Sequence, residues 1–307
     1  AVLPLSFDYG LNQVISCLLT GAHCILLDYL LPRDVLKAVQ NYKVTGLAAV
    51  PPLWVQLCNV DWSKYDTSSL RYFTNSGGVL EAHVLAQLRE NIPNASPFLM
   101  YGLTEAFRST YLPPAVIDEK PNSIGKAIPN ATISIVNEEG NECAVNEVGE
   151  LVHTGPLVTL GYWNNQEKTQ LRFRPSPIAK KEISTPQIAV WSGDFAYKDS
   201  DGYLYFVARK DEMIKTSGYR VSPNEVEEVI SEIAEVKLCA VLGKKDSEVG
   251  NAIVAFIESN TDQVNEKDIL KHCTQNLANY MVPRQVIFVD QIELNPNGKI
   301  NRQQLKQ

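Results

Sequence analysis

Residues 202–228, GYLYFVARKDEMIKTSGYRVSPNEVEE, constrain this chain more than any other stretch. Aromatic and β-branched residues at Tyr203, Tyr205 and Val207 run as a strand does into a charged bend, Arg209, Lys210, Asp211 and Glu212. A helix start follows. Ser222 stands at the N-cap position, Pro223 at the first helical position and Glu225 three residues after the serine, the order of a capping box. Val226, Val229, Ile230 and Ile233 then recur at i, i+3, i+4 and i+7, which predicts one apolar helix face. Between bend and helix, Lys215–Arg220 reads as a polar, glycine-containing turn. The domain boundary is placed at the charged bend, with residues 1–210 on one side and 211–307 on the other.

Upstream, short apolar runs alternate with amphipathic ones. Leu11–Leu19 reads as a buried helix, His23–Leu27 as a buried strand, and Pro32–Tyr42 as a helix opened by proline. Gly46–Val50, Leu70–Asn75 and Phe98–Tyr101 read as strands, Leu53–Leu57 and Leu80–Asn91 as helices. Such alternation argues for a parallel sheet covered on its faces, an α/β layer. From about residue 123 the pattern turns to glycine-punctuated strands, Ile133–Val136, Glu150–Thr154 and Tyr203–Val207, a β-rich subdomain. Residues 172–190, with their prolines and charges, read as an exposed loop. After Asp211 the order is helix, strand (Val236–Leu242), strand (Ala252–Glu258), helix (Glu266–Tyr280), strand (Gln285–Val289). That predicts a small α+β domain.

Composition narrows the function classes. The 307 residues suffice for two domains, and a net charge of −7 without a basic stripe argues against a nucleic-acid partner. No apolar run is long enough to cross a bilayer and no basic-then-apolar signal opens the chain, so a membrane role is not expected. Cys17, Cys24, Cys58, Cys143, Cys239 and Cys273 form no C-x-x-C pair, which points to thiols in a reducing cytoplasm. His23, His83, His153 and His272 lack metal-ligand spacing.

Two sets of polar residues carry the candidate chemistry. In the first, Ser76-Gly77-Gly78 and Tyr101-Gly102-Leu103-Thr104-Glu105 each follow a strand, where glycine lets a ligand approach the backbone closely. Thr104 offers a hydroxyl to a phosphate oxygen, and Glu105 a hard carboxylate to Mg²⁺. The plain alternative is two strand-to-helix turns, with Thr104 as a helix cap. The second set is Trp191-Ser192-Gly193-Asp194, Arg209 and Asn295-Pro296-Asn297-Gly298-Lys299-Ile300. An aspartate in a glycine turn can accept both hydroxyls of a ribose. A lysine at a tight turn can reach a partner surface.

Together the motifs resemble the adenylate-forming superfamily of acyl-CoA synthetases, adenylation domains and luciferases. In order they are SFDYG at 6–10, NSGG at 75–78, YGLTEA at 101–106, SIGKAIPN at 123–130, GELVHTGPLVTLGYWN at 149–164, WSGD at 191–194, the 202–228 stretch and NPNGKI at 295–300. The resemblance covers essentially the whole chain and implies ATP and Mg²⁺. It implies that Thr104 and Glu105 meet the α-phosphate and the metal, and that Gly77, Gly78 and Gly102 line the nucleotide. Tyr101 would sit beside adenine, Asp194 and Arg209 would hold the ribose hydroxyls, and Phe206 would pack on the nucleotide. Asp211 would be the hinge of a mobile small domain. Lys299 would bridge carboxylate and phosphate, and Gly218 would face the thiol tunnel. Ala208 replaces the usual glycine before Arg209. The family's phosphate loop belongs upstream of residue 1, so the chain looks like the C-terminal part of a longer ligase.

For the substrate, Phe7-Asp8 resembles the amino-acid-activating branch, where the aspartate pairs an α-ammonium. The alternative is a local partner for Asp8. Longer strings look closest to stand-alone prolyl-carrier-protein ligases and to AMP-forming acyl ligases associated with exosortase clusters. The implied reaction is activation of an amino acid, such as proline, and transfer to the phosphopantetheine thiol of a carrier protein. A fatty or aryl acyl-CoA ligase and a non-catalytic docking fragment stay open. Besides Asp8, the substrate pocket would be lined near Phe73, Asn75, Met100 and Ser109.

Overall fold

In the computed structural model, which describes residues 1–178, 187–261 and 264–306, the chain divides into two compact units, Ala1–Phe206 and Val207–Gln307. The division falls just ahead of the Lys210–Asp211 bend. In the first unit α1 (Asp8–Thr20) and α2 (Pro32–Tyr42) precede a β–α–β–α–β run. This run is β1 (Gly46–Ala49), α3 (Pro51–Cys58), β2 (Tyr72–Asn75), α4 (Ala82–Asn91) and β3 (Ser96–Leu103). The three strands pair in parallel, as strands joined through helices must. The sheet then turns antiparallel through β4 (Ala106–Leu112) and β5 (Lys126–Ala127), a mixed edge that the alternation alone does not predict. The core between helices and sheet centres on Trp54 and Phe73, both wholly buried, with ring centroids 5.2 Å apart.

The β-rich part forms a second sheet in the order β6 (Thr132–Val136), β7 (Gly149–Thr154), β9 (Ile188–Lys198), β10 (Leu204–Arg209), with β8 (Phe173–Pro175) added on β9. A short helix, α5 (Gln166–Arg172), leads into β8. The exposed loop expected at 172–190 is therefore replaced at both ends by antiparallel pairing, Phe173 against Val190 and Pro175 against Ile188. Residues 179–186 of that loop lie outside the described residues.

Two expectations near the start are overturned. α1 buries only Tyr9 and Gly10, and Leu11, Ile15, Leu18 and Leu19 stand exposed, so it is not a buried helix. His23–Leu27 forms no strand. Its backbone bonds run to residue 1, Ala1 N to Ile25 O at 2.7 Å and Leu27 N to Ala1 O at 3.1 Å, and Leu26 is exposed. Apolar sequence marks what a segment can bury against, not whether the described residues supply that surface.

The second unit begins with a hairpin, β11 (Ile214–Thr216) and β12 (Tyr219–Val221), followed by α6 (Pro223–Ser231). β13 (Val236–Asp246), β14 (Gly250–Ser259), α7 (Glu266–Asn276) and β15 (Gln285–Phe288) complete an α+β layer. β13 and β14 are antiparallel, and β15 joins β14 in parallel. Val226, Ile230 and Ile269 are wholly buried, which accounts for the apolar face of α6. The capping box at Ser222 does not form. The Ser222 hydroxyl donates instead to Val207 O at 2.7 Å, and no side chain caps α6. Among the described residues no helix is long and apolar enough to cross a membrane. Each of the six cysteines remains a thiol.

Candidate active site

The Thr104–Glu105 pair is the tip of the β3–β4 hairpin, since Leu103 pairs with Ala106 across it. It is therefore neither a strand-to-helix turn nor a helix cap. A register shift between Tyr101 and Leu103 bulges β3 just before the tip. Gly102 stands at that bulge, where a Cβ would lie 3.0 Å from Arg108 backbone atoms and push that backbone aside by a few tenths of an ångström.

Two side-chain hydrogen bonds and one backbone bond hold the tip. Thr104 Oγ1 donates to Asp8 Oδ1 at 3.4 Å, linking it to the first turn of α1. Tyr162 donates its phenol to Glu105 Oε1. Thr159 N bonds Glu105 O at 2.9 Å, so the 155–165 segment packs along the hairpin. Burial, and then the neighbouring Glu105 carboxylate, push the Tyr162 phenol up to about 12, so it stays protonated and keeps donating. Tyr162 lies in the GELVHTGPLVTLGYWN motif, whose residue types alone assign it no role. No spacing rule links it to Glu105, and only the folded packing does.

Tyr101, near the end of β3, donates its hydroxyl to Asp194 Oδ2 at 2.5 Å, and its ring stands 6.2 Å from that of Phe206. Three of the residues expected at the nucleotide, Tyr101, Asp194 and Phe206, are thus brought together. Asp194 lies within β9 and not in a glycine turn. Gly193, at φ 69°, makes a local irregularity there, and Gly193 N donates to Glu150 Oε1 at 3.0 Å. Gly77 and Gly78 follow β2, as expected, and Asn75 Nδ2 reaches Gly78 O at 3.0 Å.

The expected acid-pocket residues divide. Asp8 is partly exposed, Met100 partly buried, and Asn75 buried with Oδ1 lacking a hydrogen bond. Phe73 is wholly buried against Trp54, and Ser109 is wholly buried with its hydroxyl 2.8 Å from His153 Nδ1. Those two side chains belong to the core. Strand residues alternate faces, and a motif string does not say which face a ligand sees. Arg108, beside Ser109, adopts φ 59°, rare for a side-chain-bearing residue, and its guanidinium lies 5.1 Å from the Tyr9 ring centroid.

In the second unit, Arg209 Nε donates to Asp211 Oδ1 at 3.2 Å, and Glu212 N and Met213 N both bond Arg209 O, so the charged bend is an ordered turn. Gly218 follows Ser217 at the β11–β12 tip with φ 82° and 49°. Two left-handed residues in succession make the hairpin turn that favours glycine, and a Cβ at Gly218 would meet open space. Lys299 sits on a tight turn. Asn295 Oδ1 accepts from Asn297 N at 2.9 Å and Lys299 N at 3.1 Å, and Asn295 N bonds Lys299 O at 2.7 Å. Beyond the turn, Arg302 forms a bidentate pair with Glu227 of α6 at 2.6 and 2.9 Å, anchoring the segment that carries Lys299.

Comparison with known proteins places this geometry. Residues 1–163 match the model of the AMP-binding enzyme family, and 225–299 that of the AMP-binding enzyme C-terminal domain. A long-chain-fatty-acid–CoA ligase of Yersinia pestis is 31% identical over 99% of this chain and 52% of its own length. The structure of the anthranilate CoA ligase AuaEII in complex with anthranoyl-AMP superposes with a TM-score of 0.88 at 28% identity, covering 99% of this chain and 58% of that one. The o-succinylbenzoate coenzyme A synthetase MenE of Bacillus subtilis, in complex with ATP and magnesium ion, superposes at 0.84 and 26% identity over 100% and 61%. The chain thus spans about half the length of the curated relatives it matches. With that match and the hairpin tip of Thr104 and Glu105 in the fold it specifies, the chain belongs to the AMP-binding enzyme family of adenylate-forming proteins.

Proposed function

We propose that the protein carrying these residues joins a fatty or aryl carboxylic acid to coenzyme A through an acyl-adenylate. The observation that carries this reading is the Thr104–Glu105 tip braced by Asp8 and Tyr162, in a chain whose relatives are acyl-CoA ligases. An acid oxygen attacks the α-phosphorus of ATP and pyrophosphate leaves. The thiol sulfur then attacks the acyl carbon, AMP leaves, and the thiol proton passes to solvent. Thr104 offers its hydroxyl to the α-phosphate, Asp194 and Arg209 hold the ribose, and Tyr101 and Phe206 flank the base. Glu105 fits a magnesium ion, because Tyr162 takes one carboxylate oxygen and the other can join phosphate and water ligands. That ion supplies positive charge against the phosphates. Lys299 neutralises the two acids as they join, Asp211 is the hinge between half-reactions, and Gly218 faces the thiol in the second.

An amino-acid substrate with a carrier-protein thiol rests on Asp8 needing an α-ammonium. The Thr104 hydroxyl already bonds that carboxylate, which is partly exposed, so the chemistry does not demand a cation there.

ATP–pyrophosphate exchange with a panel of fatty, aryl and amino acids tests the reading. Exchange is expected with acids that lack an amine, and Lys299→Ala should lower it by about a hundredfold or more. Exchange with amino acids alone would select the carrier-protein reading. Neither exchange nor nucleotide binding would select a docking role.

A further inference from the structure

We infer that Arg108 gives the acid site a second anion-binding point, so that the substrate is an acid with another carboxylate distal to the one that is activated. This rests on the ligase reading above and narrows its substrate class.

Arg108 lies on β4, three residues past Glu105 on the same hairpin and next to Ser109. Its guanidinium lies 5.1 Å from the ring centroid of Tyr9 and 4.8 Å from that of Phe107. Tyr9 is itself fixed, 2% exposed, with its hydroxyl donating to Thr74 O at 2.9 Å. The cation therefore rests on a rigid platform beside the first turn of α1, where Asp8 starts the helix.

What it does not do is the telling part. Among the described residues the Arg108 guanidinium makes no hydrogen bond and no ion pair, so its side-chain N–H donors are unspent. Asp8 lies close enough to favour the cation but outside ion-pair range, and spends Oδ1 on Thr104. Burial lowers the Arg108 pKa, which marks a guanidinium partly stripped of water, although an arginine remains charged. A place over aromatic rings stabilises the cation modestly and takes up none of its N–H donors. A planar fork with open donors suits a carboxylate, which it can bind through two parallel hydrogen bonds. The left-handed backbone at φ 59°, strained in a non-glycine residue, accompanies the placement of this side chain by Tyr9 while Ser109 enters the core.

The test compares pyrophosphate exchange by the protein with pairs of acids matched in length, a dicarboxylate and its monocarboxylate counterpart. Wild type should favour the dicarboxylate in kcat/KM. Arg108→Gln should lower the dicarboxylate-to-monocarboxylate ratio by about ten- to a hundredfold, the worth of one charge-assisted pair, and Arg108→Lys should fall between. Equal use of both acids by wild type, or a variant that loses both equally at an unchanged ratio, would overturn the inference and leave the ligase reading standing. No exchange with any acid would remove both. Because the readout is a ratio, a partly unfolded variant does not mimic the expected result.

Discussion

His153 is wholly buried on β7, its Nδ1 2.8 Å from the Ser109 hydroxyl and its Nε2 without a hydrogen-bond partner. Burial brings its pKa from 6.5 down to about 4, so the folded unit holds the ring neutral over a range in which the unfolded chain takes up a proton. The stability this histidine allows is fully present above pH 6.5 and is lost as pH falls toward 4. The loss amounts to about 3 kcal/mol. Denaturation of the protein at pH 7, 5.5 and 4 should show that slope. His153→Phe should flatten it, at a constant cost of about 1–3 kcal/mol for the abandoned Ser109 hydroxyl. At this scale the sequence marks Thr104, Glu105, Tyr101 and Asp194 as candidates through their motifs. It did not show Tyr162 or the Ser109–His153 pair, because each contact joins residues far apart in the chain.

Secondary-structure elements followed local chemistry where that chemistry was closed within a few residues. Pro32–Tyr42 is a helix as its proline start suggests, and the Asn295–Lys299 turn closes on its own asparagine. Helix caps separate the two cases. Asn265 caps α7 by accepting from Lys267 N and Asp268 N, and Asp268 reaches back to Asn265 N at 3.2 Å. Ser222 has the same sequence credentials at α6, but Val207 O takes its hydroxyl. Asn265→Ala should therefore destabilise the second unit by about 1 kcal/mol, measured by urea denaturation, with Asn265→Ser nearly neutral. A loss as large in the serine variant would show that the cap is not the cause.

The whole chain is two units, each with its own core, joined within β10 just ahead of the Arg209–Asp211 turn. If that turn is the hinge, Asp211→Pro, which fixes its own φ and disfavours helical geometry at Lys210, should spare pyrophosphate exchange and slow thioester formation about tenfold or more. Equal rates in the second half-reaction would remove Asp211 from that role. By itself the sequence determined the family, the alternation of helices and strands from Pro32 to Tyr101, and the turns that carry Gly218 and Lys299, since these depend on residue type at short spacing. Only the tertiary structure decided that Asp194 lies in a strand, that Phe73 and Ser109 face the core, that α1 leaves its apolar side open, and that Arg108 rests on Tyr9. Those outcomes depend on which distant surfaces meet, and residue spacing along a chain carries no record of that.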